Sequence, residues 1–215
     1  LEKQNAKEIK QIEIPFRFIH DRIQQAAYSI IEETEKEKIN YTIGKIFLEK
    51  VDEHDIDGKI FKILSHLNLA LNQIQTEEEK TQLVKLNLRA CRIAKKAVAY
   101  QTAFDCISIS KELLDADSWK TDYELTYDIY LELAECSYLL KHFDHIDELS
   151  RIILGHARTK IDKGKLYILK MAYYTGISSS QRAINIGLEC LSLFGIQIPE
   201  HPSKMRILFE FARIK

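Results

Sequence analysis

Three short stretches bring together side chains of the kinds that do chemistry. His20-Asp21-Arg22 sets an imidazole, a carboxylate and a guanidinium in a row, the groups of a phosphoryl-transfer loop. That loop needs the order His-Arg-Asp and an Asn downstream to hold magnesium. Here the order is inverted and Gln24, Gln25, Ala26 and Ala27 follow. The triplet therefore reads as a helix start, with Asp21 near the positive end of the helix dipole. His142 and His145 flank Asp144, but a zinc site takes at least three protein ligands and no third His or Cys lies close in sequence, so this reads as a polar turn. Asp162-Lys163-Gly164-Lys165 is not a phosphate loop, because the G-x-x-x-x-G-K-[ST] run occurs nowhere in the chain. G-x-S-x-G and H-E-x-x-H are absent too. On these grounds no catalytic, cofactor-binding or metal-ligating residue is assigned, and the segment itself is read as non-enzymatic.

The remaining candidates are clusters. Arg89, Arg92, Lys95 and Lys96 share one long helical pattern with acids interspersed nearby, which suits a solvated face better than a nucleic-acid patch. Tyr123, Tyr127, Tyr130 and Tyr138 recur at helical spacing and read as packing rather than a ligand cage. Cys91, Cys106, Cys136 and Cys190 are scattered, with no C-x-x-C pair, as in a cytoplasmic protein with reduced core thiols.

Helices must position these residues. Seven Gly and three Pro in 215 residues leave little room for tight β-turns, and the apolar spacing is helical almost throughout. The exception is Phe16-Arg17-Phe18 after Pro15, an alternation that suits a short strand feeding a helix over 20–34. Helices are expected over 36–50 and 59–73, around a charged loop at 51–58 closed by Gly58. Three helix pairs follow, at 76–98 with 100–114, at 121–140 with 143–158, and at 162–175 with 179–194. Thr76-x-x-Glu79 has the form of a capping box, as does Thr121-x-x-Glu124 after a loop at 115–120. The helix after Thr121 carries a second apolar stripe, Leu125, Ile129, Leu133, Cys136 and Leu140. Burial on two sides is the mark of an inner helix in a stack. Ala103, Ile146 and Ala183 hold matching places in the second helices, a period of about 40 residues that belongs to solenoids of helix pairs.

Composition narrows the function classes. The chain is 46% hydrophobic and 29% charged with a net charge of −1, so it carries no global field for nucleic acid or an anionic membrane. No apolar run approaches the ~18 residues of a membrane span. The first residue is Leu rather than Met, which reads as a piece excised from a larger polypeptide.

Five blocks, FRFIHDRIQQAAYSII (16–31), HLNLALNQI (66–74), LNLRACRIAKKAVAY (86–100), DSWKTDYELT (117–126) and AINIGLECLSLFGIQIP (183–199), resemble in that order the helical region of large bacterial signalling ATPases. In that family an AAA-like or STAND-like ATPase is followed by tetratricopeptide-like repeats, often with serine/threonine-kinase-like, GAF and histidine-kinase domains. The resemblance implies an all-α, right-handed superhelical array of antiparallel helix pairs, with a short strand-helix remnant at the N-terminus. It divides the chain into a linker (1–13), the tail of an upstream ATPase or winged-helix-like module (14–50), a connecting helix (51–75), three helix pairs (76–195) and the start of a further element (196–215). Ser178–Ser180 depart from the usual turn residues of the third repeat.

Function follows as an expectation: an interaction and signal-relay module, with ATP bound only in the upstream domain of the parent. Its partners are expected to be flanking domains of the same polypeptide, or a peptide or protein, with no nucleic acid and no membrane span. The repeat register turns Lys85, Arg92, Lys95, Asp128, Glu135, Tyr138 and Lys165 toward a partner groove. Two other readings stand beside it: a structural spacer, and a small-molecule sensor with a pocket along the Tyr123–Tyr138 stripe.

Overall fold

The computed structural model describes residues 20–199 and 203–213. The short strand expected at 16–18 and the linker at 1–13 lie outside these residues. The fold is all-α, with no strand among the described residues.

Helix α1 (Asp21–Ile30) begins at the His-Asp-Arg triplet and stops earlier than its periodicity suggests, with Ile31 and Glu32 extended. A new helix, α2 (Glu33–Glu49), starts there instead of at 36, with Glu33 and Glu35 in its first turn, where carboxylates stabilise the N-terminal dipole. The expected loop at 51–58 is shorter than its composition indicates. Helix α3 (Ile56–Leu67) already contains Gly58, whose missing side chain would meet nothing within 4 Å. It ends at Asn68 rather than at 73, and a single 3₁₀ turn spans Leu71–Gln73. The cause is a buried tie: the Asn68 and Asn87 amides donate to one another at 2.9 Å each, with Asn87 fully buried. An unpaired buried amide costs about 1–3 kcal/mol, so this reciprocal pair fixes the chain's turn into the next helix.

Helix α4 (Glu77–Lys96) is capped by Thr76, whose hydroxyl accepts the Glu79 N–H. The expected reciprocal bond is not made, because the Glu79 carboxylate accepts from Tyr41 and Lys45 on α2 instead. Its partner is α5 (Tyr100–Glu112). The loop expected at 115–120 contains a one-turn helix, α6 (Ser118–Thr121). Thr121 closes that turn by donating to the Asp117 carbonyl, and it is Asp122 that accepts the Leu125 N–H and caps α7 (Tyr123–Leu139). The N-cap is therefore displaced by one residue, and the second capping box does not form, since Leu125 at its third position has no polar side chain to reciprocate. Helices α8 (Phe143–His156), α9 (Lys160–Gly176), α10 (Ser180–Leu193) and α11 (Lys204–Arg213) complete the order. A full capping box does occur, between Thr159 and Asp162 at the start of α9.

The helices pack in chain order: α2 on α3, α3 on α4, α4 on α5, α5 on α7, α7 on α8, α8 on α9 and α9 on α10. Two further contacts, α4 with α7 and α7 with α9, join the first helices of successive pairs. Helix α7 is thus enclosed, as its two stripes require, and Tyr127, Ile129 and Ala134 are buried on it. One core cluster runs from Ile60, Ile63 and Leu67 through Leu83, Cys91 and Ile107 to Leu133, Ile153 and Leu166. Each such side chain contributes about 1.5–3 kcal/mol by leaving water. Close approach substitutes for bulk at Gly44, where a Cβ would stand 2.5 Å from a Leu67 methyl.

The turn inside each of the last three pairs is the same. Val98, Lys141 and Ser178 sit at φ 60°, 61° and 59°, and the next residue's N–H reaches back to Ala94, Ser137 and Tyr174 carbonyls at 2.9, 2.8 and 2.8 Å. This is the Schellman closure of a helix C-terminus. Five residues after each turn come Ala103, Ile146 and Ala183, all buried, so the period of about 40 residues is a period of geometry as well as of letters.

Candidate interaction face

Helices α4, α7 and α9 each turn one side outward on the same flank of the array. On α4, Arg92 and Lys95 lie one turn apart; on α7, Asp128, Glu132 and Glu135 follow at spacings of four and three, which puts them on one face. The two rows interlock. Arg92 donates to Asp128 at 2.6 Å and to Glu132 at 2.8 Å, and Lys95 donates to Glu135 at 2.5 Å while also pairing with the second Glu132 oxygen. Lys95 and Glu132 are the least exposed members, with side chains 15% and 13% exposed. Glu132 Oε2 is buried with no well-angled hydrogen bond, held by the Lys95 charge alone. Burial works against the Lys95 charge, but its close pairing with the Glu132 and Glu135 carboxylates outweighs it and holds its pKa above the usual lysine value. The same balance of burial against Glu132 and Asp128 raises Arg92.

Beyond the ion-pair ladder, α7 and α9 part to leave a hollow of about 310 Å³. Its floor and walls are Leu131, Tyr138, Leu139, Leu169 and Ala172, with Ile168 on the rim and Glu135 and Lys165 at its charged edges. The position of Lys165 is set from below. Tyr123 donates to the Asp162 carboxylate at 2.7 Å and accepts the Arg158 N–H at 2.9 Å, and Tyr127 donates to the Asp162 carbonyl at 2.8 Å. These bonds pin the first turn of α9 to α7. Burial would raise the Asp162 pKa, yet the hydrogen bonds from Tyr123 and Thr159 bring it below the usual aspartate value. Lys165 then lies over the Tyr127 ring, 5.8 Å from its centre.

Six of the seven groove residues expected from the register, Arg92, Lys95, Asp128, Glu135, Tyr138 and Lys165, fall on this face, joined by ion pairs or by the hollow. Lys85 lies apart, in a broad open depression of about 840 Å³ with Lys45, Glu79 and Arg89. Glu132 was missed although its helical angle falls about 40° from that of Asp128 and about 60° from that of Glu135, so spacing alone was enough to place it on the same face. Leu131, Ile168 and Ala172 were missed because an apolar residue on a helix reads as core unless its neighbours are known. Tyr123 and Tyr127 are buried in the interhelical bonds just described, and of the tyrosine stripe it is Tyr138 that reaches the hollow. His142 sits edge-on to the Phe104 ring at 5.1 Å. No group of three His, Cys, Asp or Glu suited to a metal occurs among the described residues, and no helix among them is long and apolar enough to cross a membrane.

No family model and no solved structure matches the chain. It is similar to hybrid signal transduction histidine kinase G of Dictyostelium discoideum, at 25% identity over 226 residues, an alignment that covers 94% of this chain and 7% of that protein. The chain is thus a distant relative of one short segment of a much longer signal-transduction protein.

Proposed function

We propose that this chain is a non-catalytic interaction and relay module of a larger signalling protein, its helix pairs following a tetratricopeptide-like, right-handed superhelix. In this reading ATP binding and phosphoryl transfer belong to flanking domains of the same polypeptide, with the 14–50 segment at the hand-over from an ATPase. The recurring left-handed turn and the row α4–α7–α9 support the solenoid; the similarity of 94% of the chain to a short piece of a signalling kinase supports the setting. The observation that carries the reading is the α7–α9 hollow, an apolar recess on an otherwise charged face, bounded by Glu135 and Lys165. A volume near 310 Å³ is at the small end for a ligand site and suits one anchoring side chain of a peptide or neighbouring domain.

A second reading, the spacer, has its own support: Arg92 and Lys95 already spend their charge on Asp128, Glu132 and Glu135, leaving little for a partner on the α4 side. The two readings separate by lysine footprinting. In a longer polypeptide carrying the flanking domains, Lys165 acetylates at least several-fold more slowly than in the 215-residue chain, relative to Lys141 on a turn. Equal Lys165 rates in both would leave the spacer.

A further inference from the structure

Two apolar stripes stand exposed near the end of the array. On α9, Ile161 and Ile168 are 64% and 66% exposed; Lys165 and Ala172 are exposed on the same line, which from Lys165 onward borders the α7–α9 hollow. The spacing 161, 165, 168, 172 is that of a helix–helix seam and runs for roughly 16 Å. On α11, Met205, Leu208 and Phe209 are 81%, 69% and 70% exposed and Ala212 continues the line, over a helix roughly 15 Å long. Contiguous apolar surface of this kind is rare on a folded chain unless something covers it.

We propose that α11 docks along this edge of α9, parallel to it, as the next member of the row of first helices. The row supplies the geometry: α7 lies against α4 and α9 against α7, so a helix beside α9 repeats an established contact. The path of the chain supplies the direction. The Phe194 ring lies 3.5 Å from where a Gly164 Cβ would be, so the connector leaves beside the first turns of α9. Its residues 194–203 span up to roughly 33 Å when extended, well beyond what is needed to bring Lys204 level with Ile161. Running parallel, Met205, Phe209 and Ala212 then match Ile161, Lys165 and Ile168 level by level. Phe209 covers the aliphatic stem of Lys165, whose ammonium stays in water. The docked helix makes α9 an internal element, so a displacement of α11 is passed to the α9 wall of the hollow.

Paired cysteines in the full chain test this. Ile161→Cys with Met205→Cys, and Ile168→Cys with Ala212→Cys, are the level pairs; Ile161→Cys with Ala212→Cys is the crossed pair. Under mild copper–phenanthroline oxidation at micromolar protein, with the parent chain correcting for native thiols, both level pairs close within one chain at least ten-fold faster than the crossed pair. Adding Phe209→Asp abolishes that advantage while the far-UV spectrum stays helical. Equal rates for level and crossed pairs overturn the proposal, as do cross-links that form only between chains, which would assign α11 to a second copy.

Discussion

Val98, Lys141 and Ser178 carry the cost of the tight turns. A left-handed conformation costs an L-residue roughly 1–2 kcal/mol, and it is least suited to a side chain branched at Cβ such as Val98. The turn persists because it satisfies carbonyls that a helix end would otherwise leave open: Val98 N–H bonds Lys95 at 3.0 Å and Ala99 N–H bonds Ala94 at 2.9 Å. Val98 is 66% exposed, so its side chain contributes little packing in return. Val98→Gly therefore stabilises the chain by about 1 kcal/mol, the relief of strain exceeding the chain entropy that glycine adds to the unfolded state. Urea unfolding reads this as a higher midpoint at unchanged slope; a lower midpoint would mean that Val98 packs more than its exposure implies. The absence of glycine at all three sites is also why the repeated turn could not be read from residue types.

At the scale of elements, the α4–α7 ladder illustrates how position decides what an ion pair is worth. Its outer members, Arg92 and Asp128, are 44% and 40% exposed, and such pairs contribute about 0–1 kcal/mol. Lys95 and Glu132 are largely buried, so removing one takes a desolvated partner from the other, although Glu132 keeps Arg92 and Lys95 keeps Glu135. Lys95→Met leaves the buried Glu132 Oε2 without its lysine, with Arg92 still on the other oxygen, and lowers stability by about 1–3 kcal/mol, whereas Lys95→Met with Glu132→Leu recovers most of the loss. A double-mutant cycle by denaturant unfolding measures this; additive losses would show that the two side chains do not interact. The members of the ladder were legible from spacings of three and four, but their pairing was not, since it depends on how α4 and α7 cross. Similar limits explain the other differences. Thr121 and Asp122 compete for one N-cap, and the side chain one residue on takes the bond. Gly58 read as a loop closer, though a helix accepts glycine at an open surface position for about 1 kcal/mol. The Thr159–Asp162 box was missed because the usual pattern ends in Glu or Gln.

At the scale of the whole molecule, the main contacts among the described residues join helices that are neighbours in chain order or first helices of successive pairs, so a tie lost at one end need not loosen the other. Three titratable ties differ in where they act. His66 on α3 bonds Asn40 at 2.9 Å, and Asn40 in turn donates to Tyr28 at 3.1 Å, tying α1, α2 and α3 together. Burial, and then the nearby Lys62 charge, hold the His66 pKa below 6.5. Glu79 ties α4 to α2 and is held below its usual value chiefly by the Tyr41 and Lys45 hydrogen bonds. Asp162 ties α9 to α7. For His66 the folded state binds fewer protons than the unfolded one near pH 6.5, so this contribution is complete above the unfolded pKa and is lost as pH falls below it. For Glu79 and Asp162 the stabilisation is present above their unfolded values, 4.5 and 3.8, and disappears only as pH falls through the lower folded ones. Acidification from pH 7.5 to 5.5 should therefore loosen the N-terminal layers alone. Hydrogen exchange, corrected for its intrinsic pH dependence, should accelerate in α1–α3 while α7 and α9 keep their protection. His66→Gln, which retains a donor for Asn40 and cannot titrate, should remove the difference. Equal acceleration along the chain, or a His66→Gln chain that loosens as before, would show that the N-terminal layers do not respond through this imidazole.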